Sequence, residues 1–266
     1  MKLIGRFSKA HSLISINKGI HIELIYFATF FVACISSILS GIAGGGGSFI
    51  MAPYWLIAGL SPVQGATTGA FMAIGMGGSS LAAFKGTDYM PHRSKLLFWL
   101  ITITLLSSLI GPFFLPHISI AVFKPALALL TIISIPFLFV NRRSVTISGH
   151  HHIVGYAVLA LLFLMSSFIT SSIFSIFISI VLTQIFRFTI LQSTAIRRLT
   201  GLIQSALIFT VLIFFGGFVW QHALAALLGG STGSFIGTKF SIKRGEHFAK
   251  LALSVSGVIS AVLLIF

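Results

Sequence analysis

Four consecutive glycines, Gly44 to Gly47, interrupt an apolar stretch that runs from Ser40 to Leu60. Each glycine costs a helix roughly 1 kcal/mol relative to alanine. A run of four also strips backbone N–H and C=O groups of their intrahelical partners. Lipid cannot satisfy those groups, so irregular backbone at membrane depth survives only packed in protein or beside a polar cavity. Both flanks of the run are apolar enough to sit in a bilayer. The stretch therefore reads as a broken helix of a transport pathway, with a first span over Glu23–Ala43 and a short second arm over Ser48–Gly59.

Composition agrees. Apolar residues make up 56% of the 266 and charged residues 8%, against about 25% charge in a soluble domain; mean hydropathy is +1.08. The expected fold is an all-α polytopic membrane protein. Seventeen Lys and Arg stand against three Asp and Glu. The cations fall between apolar runs, the pattern of interfacial anchors and of the positive-inside bias rather than of a nucleic-acid surface. The bilayer and a small anionic solute are the partners this implies, and a homo-oligomer is compatible with it. Cys34, the one cysteine, excludes an intrachain disulfide.

Residues 1–21 form a basic N-terminal tail with Lys2, Arg6, Lys9 and Lys18, expected to be cytoplasmic or an interfacial helix. The apolar stretch after it is long, lacks a small-x-small cleavage site and precedes further spans, so it reads as a first transmembrane helix rather than a signal peptide. Ser61-Pro62 is a helix start signal, and Val63–Phe84 is rich in the small residues that let helices approach closely in lipid. Further spans are expected over Leu96–Leu115 and Ile118–Val140. A polar linker occupies 141–152. His152–Leu182 is too long for one straight span and is hydroxyl-rich at its middle, from Ser166 to Ser175. Thr183–Thr200 carries Arg187, Gln192, Arg197 and Arg198, and apolar segments follow over Gly201–Phe218, Ala223–Thr238 and Phe248–Phe266.

An internal repeat is legible in this order. Ser108-Leu109-Ile110-Gly111 resembles Ser234-Phe235-Ile236-Gly237, and thirteen residues after each glycine stand Lys124 and Lys250. Gln64-Gly65-Ala66-Thr67 resembles Gln192-Ser193-Thr194-Ala195. The near-constant offset predicts two halves of about four helices each, 22–140 and 153–266, with broken or re-entrant helices near the centre. Transporters arise this way, with the substrate site where the halves meet. Whether the repeats are parallel or inverted is open at this level.

The glycine-rich break, Pro53 soon after it, and the Gly65-Ala66-Thr67-Thr68-Gly69 helix resemble the TauE/SafE family of anion exporters. The run from Leu228 to Thr238, followed by a basic loop and a last helix, is similar to that family's closing signature. The resemblance covers the chain from about Glu23 onward. It implies a duplicated helical protein of the bacterial cytoplasmic membrane that moves sulfite, sulfonates or related sulfur oxyanions outward. The second half departs from the family pattern, with Ser171-Ser172 and phenylalanines in place of a second glycine break.

An anion inside a bilayer needs N–H donors, hydroxyls or a cation. Gly44, Gly45, Gly46 and Gly47 offer bare amides, and a half-helix beginning at Ser48 adds its N-terminal dipole. Ser48, Thr67 and Thr68 supply hydroxyls from the first half, and Gln192, Ser193 and Thr194 supply polar groups from the second. Arg197 and Arg198 match the Thr67–Gly69 region and open an apolar run, near enough to an interface to snorkel. The alternative for the glycines is close helix crossing alone. For the hydroxyls it is a bond to the backbone one turn earlier.

No catalytic set, metal site or cofactor is expected. His150–His152 are adjacent in a polar segment and do not make a closed ligand set, and the three carboxylates, Glu23, Asp88 and Glu246, stand near expected helix ends. Import of another small anion or organic acid, and a non-transporting accessory role, remain the alternatives.

Overall fold

The computed structural model describes residues 2–44, 48–90, 95–114, 149–168, 174–214 and 217–265. Among them the chain is helical and holds no strand. The helices are α1 (Lys2–Ala43), α2 (Ser48–Ile57), α3 (Pro62–Phe84), α4 (Lys95–Phe114), α5 (Gly149–Phe168), α6 (Phe174–Gln184), α7 (Ile190–Ile213), α8 (Trp220–Arg244) and α9 (Glu246–Ile265). The expected span over Ile118–Val140 lies outside the described residues. So do Gly45–Gly47, and so does part of the hydroxyl-rich stretch, 169–173.

Helix ends follow from local chemistry. The Ser61 hydroxyl accepts from the Gln64 backbone N–H at 3.3 Å while the Gln64 side chain accepts from the Ser61 N–H at 2.9 Å, with Pro62 at the first helical position. Thr189 and Gln192 repeat this capping box at the start of α7, at 3.1 and 3.0 Å. Each box satisfies donors that a helix N-terminus otherwise leaves bare. α1 ends at Ala43, and Gly44 follows at φ +71, a conformation that costs other residues about 1–2 kcal/mol. The break expected at the glycines is present.

Three segmentations differ from the sequence reading. α1 is continuous from Lys2, which puts Glu23 in mid-helix, exposed. α5 begins at Gly149, so His150–His152 lie in its first turn. α7 runs unbroken through Thr200-Gly201, because Gly201 has open space beside it and nothing there forces a kink. Arg197 and Arg198 are therefore inside a 24-residue helix rather than at the head of an apolar run.

After its break the chain turns back on itself. Tyr54 of α2 donates its hydroxyl to the Ile25 carbonyl of α1 at 3.2 Å, and Met51 packs in one cluster with Ala33. α2 thus returns along α1 toward the end from which α1 came. A second hairpin has the same form. Gly155 near the start of α5 faces Ile185 and Phe186 just beyond the end of α6, and the Tyr156 and Phe186 rings meet at 5.1 Å.

Other contacts set direction. α1 runs parallel to α8, where Gly229, Gly233 and Gly237 lie in turn against the backbone of Phe30, Cys34 and Ile38. A methyl at any of the three would collide with a carbonyl oxygen, so these glycines allow the two backbones to touch. α3 also runs parallel to α8, with Gly230 against Met72 and Ser80 bonded to Ser234 at 2.7 Å and to Thr238 at 2.9 Å. α4 runs parallel to α5, as Trp99 beside Tyr156 and the cluster of Leu100, Ile103, Leu159 and Phe163 require. α3 and α7 cross in opposite directions: Ala70 packs with Ile208 and Leu212, Gly77 faces Leu202, and Phe84 packs with Ile190 and Leu191.

The bundle therefore has two ends. Lys85, Lys95, Arg187, Lys239, Lys243, Arg244 and Lys250 all stand at one, here termed the basic end. Ile57, Phe214 and Trp220, all exposed, mark the other, the apolar end. Among the described residues two helical stretches are long and apolar enough to cross a membrane, Glu23–Ala43 of α1 and Ile190–Ile213, which is α7. Glycine, serine and threonine dilute the hydropathy of α3 and α8, and many of them, such as Gly77, Ser80, Gly229, Gly233 and Gly237, are buried against other helices.

Candidate functional site

The last four carbonyls of any α-helix lack intrahelical donors. At the end of α1 two of them find partners on other helices. Arg198 of α7 donates Nη2 to the Ser40 carbonyl, and the same nitrogen lies 3.2 Å from the Ser40 hydroxyl. Ser241 of α8 donates its hydroxyl to the Ile42 carbonyl at 3.1 Å. A cation at a helix C-terminus also meets the negative end of the dipole. Arg198 is thus explained in large part as the cap of the broken helix.

Arg197 is placed otherwise. It is 7% exposed and stands seven residues into α7, about 10 Å along the axis from the basic end. Its guanidinium and the Thr194 side chain, one turn earlier on the same face, lie over Gly44. A methyl on Gly44 would come within 2.5 Å of Arg197 Nη2 and 2.6 Å of Thr194 Oγ1. The first glycine of the quartet is therefore obligatory twice over, for its positive φ and for the closeness of α7. Burying a guanidinium is costly, about 2.5–3.5 kcal/mol at a helix centre by insertion scales, and such a group is retained where a negative charge or a set of acceptors meets it.

Polar atoms without partners surround this point. The Ser193 hydroxyl on α7, the Ser37 hydroxyl on α1 and Arg198 Nε are all buried with no hydrogen-bond partner among the described residues. Ser37 stands one turn before Ser40 on α1, so the two share a face. A buried donor left open costs about 1–3 kcal/mol, which an oxyanion accepting from several of them would relieve.

The structure brings together Gly44, Thr194, Arg197 and Arg198 of the residues singled out in the sequence, and adds Ser40 as a direct partner. Ser48 opens α2, and its backbone is the half-helix N-terminus expected there. Gln192 is engaged in the capping box of α7. Thr67 and Thr68 are not at this point. Gly77 of α3, not Thr68, is level with Arg198, whose carbonyl would sit 3.3 Å from a methyl there. Thr68 lies nine residues away, about 14 Å toward the apolar end. Both threonines are fully buried; Thr67 bonds to the Val63 carbonyl at 2.8 Å, and the Thr68 hydroxyl has no partner among the described residues.

Ser37 and Ser40 escaped the sequence reading. Their signal was weak but present: hydroxyls one turn apart, in a helix that is otherwise apolar, just before its break.

No curated protein and no solved structure matches the chain. The family model described as sulfite exporter TauE/SafE matches residues 29–264, which takes in both hairpins, the capped helices and the arginine pair. By that match, over nearly its whole length, the chain belongs to the TauE/SafE family of integral membrane transporters.

Proposed function

We infer that the protein exports a small sulfur-containing oxyanion, sulfite or a sulfonate, across the cytoplasmic membrane of a bacterium. The observation that carries the reading is the closeness of Arg197 and Thr194 to Gly44, which sets a buried cation beside backbone freed from its helix. The anion sits between the tip of the α1–α2 hairpin and α7. It accepts from the bare amides of Gly44 to Gly47, from the N-terminus of α2 and from the Ser193 and Thr194 hydroxyls, with Arg197 as its counter-charge. Arg198 holds the tip in place and leaves its Nε to the anion. Thr67 and Thr68 belong to a second station nearer the apolar end, whereas Gln192 caps the start of α7 at the basic end.

Charge placement supports an outward direction. Seven described cations mark the basic end, against four on the extension of α1 beyond the other. By the positive-inside bias the basic end faces the cytoplasm. The arginine site then opens about 10 Å from the cytoplasmic surface, where an anion bound for export is captured. Moving one negative charge outward at 100 mV, inside negative, releases about 2.3 kcal/mol, enough to drive efflux.

Reading the two halves as an inverted duplication fits the same mechanism. The two halves follow one element order, from hairpin to capped helix to a helix of the α4 and α8 kind, with capping boxes 128 residues apart. Exchanging α1 with α5, α2 with α6, α3 with α7 and α4 with α8 maps the main packing pairs onto one another. The paired helices α3 and α7 run in opposite senses, as inverted repeats demand. Two such halves rocking about the α3–α7 crossing would present the site to each side in turn.

The test is efflux of labelled sulfite from proteoliposomes at clamped potential. Efflux that steepens as the interior is made negative is expected. Absence of flux for sulfite and for a simple sulfonate alike would refute the reading.

A further inference from the structure

A second buried polar cluster lies at the apolar end, in no contact with the arginine site. Thr29 of α1 is fully buried, and His222, in the first turn of α8, is 6% exposed. Three groups converge on the Thr29 hydroxyl: Tyr54 OH of α2 at 2.6 Å, His222 Nδ1 at 3.0 Å and the Ile25 carbonyl at 2.8 Å. Tyr54 OH also lies 3.2 Å from the same carbonyl. The edges of Tyr26 and Trp55 enclose the imidazole, with ring centres 5.0 and 6.4 Å away. The groups facing His222 are thus Tyr26 and Thr29 from α1 and Tyr54 and Trp55 from α2. Among the described residues none of them carries a charge.

A count of protons shows that this cluster has two complete arrangements. Thr29 has one hydroxyl proton to give. When Nδ1 carries a proton, its N–H donates to Thr29, Thr29 donates to the Ile25 carbonyl, and Tyr54 donates to Thr29. When Nδ1 is bare, Thr29 turns to donate to it. Tyr54 is then released to donate to the Ile25 carbonyl instead. Both arrangements place a proton in each contact that Nδ1 and the Ile25 carbonyl make, and they differ in which hydroxyl ties α2 to α1. Imidazole is the side chain that exchanges such a proton near neutral pH.

We propose that His222, Thr29 and Tyr54 form a proton-binding latch, in which a proton from the apolar side enters at His222 Nδ1 and resets the tie that holds the returning arm α2 against α1 and α8. The neutral Nε2–H imidazole gains the proton and becomes imidazolium; returning it to water restores the first state, so the cycle balances without another reactant. α2 begins four residues after Gly44, which lies beside Arg197, so the latch bears on how α2 is held against α1 near that site. As a ligand for transport the proton rests on the reading of the chain as an anion exporter; as a ligand of this cluster it does not.

The experiment therefore has two arms. In the first, full-length protein carrying 15N-histidine is placed in nanodiscs, and His222 is assigned by its loss in H222Q. Its ring nitrogens are expected to titrate reversibly within the range in which imidazole exchanges a proton, about pH 5 to 8. Y54F should displace the midpoint by about half a pH unit or more, since it deletes one of the two arrangements. A His222 signal that does not titrate, or a midpoint identical in Y54F, overturns the latch whether or not the protein transports. In the second arm, sulfite efflux is measured at clamped potential with and without external acidification. Wild type should change several-fold between the two conditions. In H222Q the ratio should fall to one, and in Y54F it should move to a different pH. Sulfite's own protonation is common to all three proteins and cancels. An H222Q ratio equal to that of wild type overturns the proposal. No wild-type flux, with an intact titration, removes the transport reading and leaves the proton site standing.

Discussion

Helices α3 and α7 start alike and are filled differently. Each opens on a hydroxyl cap with glutamine at the third helical position, each has a short returning helix just before it, and the two cross at the middle of the bundle. Beyond the caps α3 carries glycine, alanine and threonine without a charge, whereas α7 carries Arg197 and Arg198. Counted from the two glutamines, Gly69 stands where α7 has Arg197. Gly69 has Trp55 Nε1 as its nearest neighbour, 3.6 Å from where a methyl would be, so α3 at this level packs on the returning arm of its own hairpin. Arg197 instead reaches Gly44, at the end of α1. Two helices with like starts thus differ in kind, one a packing helix and one a charged helix. Among the described residues of the two, the buried arginines are all on α7.

The sharpest way to break this contrast is to remove the charge. Arg197→Met deletes the buried cation and keeps most of the side-chain volume. A hydrogen bond to a charged group contributes about 1.5–3 kcal/mol, so sulfite efflux should fall about 10- to 100-fold. Removing a buried charge also removes its desolvation cost, so the melting temperature of the purified variant should change far less than flux. Thr68→Val on α3, far from the arginines, removes at most one neutral hydrogen bond, about 0.5–1.5 kcal/mol, and should cost about two- to tenfold. Equal losses in the two variants would end the distinction between the helices.

The sequence disclosed the frame better than the site, for physical reasons. The glycine quartet, Ser61-Pro62 and the Gln64/Gln192 spacing are local signals, and local signals survive in one dimension. Helix direction is not local. The return of α2 became visible through Tyr54 reaching Ile25, twenty-nine residues apart. Arg197 and Arg198 looked interfacial because Thr200-Gly201 resembled a boundary. Free space at Gly201 lets the helix continue, and the arginines end inside. Glycines 229, 233 and 237 stood out in the sequence as part of a family signature, whereas their physical task is to bring the backbone of α8 onto α1.

A smaller effect tests the same contrast at the glycines. Gly44→Ala requires the left-handed region at φ +71, about 1–2 kcal/mol for a residue with a side chain, and drives a methyl into Arg197 and Thr194. Efflux should drop about tenfold or more, since each 1.4 kcal/mol is a factor of ten. Gly69→Ala on α3 meets only ordinary contact distance. It gains helix propensity of about 1 kcal/mol, so it should transport within about twofold of wild type and melt slightly higher. A tolerant Gly44 would mean that α7 does not press on the break.

The smallest effect concerns the feature the two helices share. Removing a Ser or Thr cap costs about 0.5–2 kcal/mol, typically near 1, because a backbone N–H in the first turn loses its acceptor. Ser61 caps α3 in an exposed setting, where water takes over part of that task, whereas the Thr189 box is partly buried. Thr189→Ala should therefore cost the upper part of that range in chemical or thermal unfolding, and Ser61→Ala the lower part. The consequence for transport should differ in kind as well. Thr189 fixes the start of the helix that carries Arg197 two turns on, so its loss loosens the arginine against Gly44 and raises the sulfite concentration for half-maximal efflux. Ser61 fixes only the packing helix, and its loss should leave that concentration unchanged. Should both variants shift it equally, the caps would be setting the α3–α7 crossing as a unit, and the charge on α7 would owe nothing to the cap beneath it.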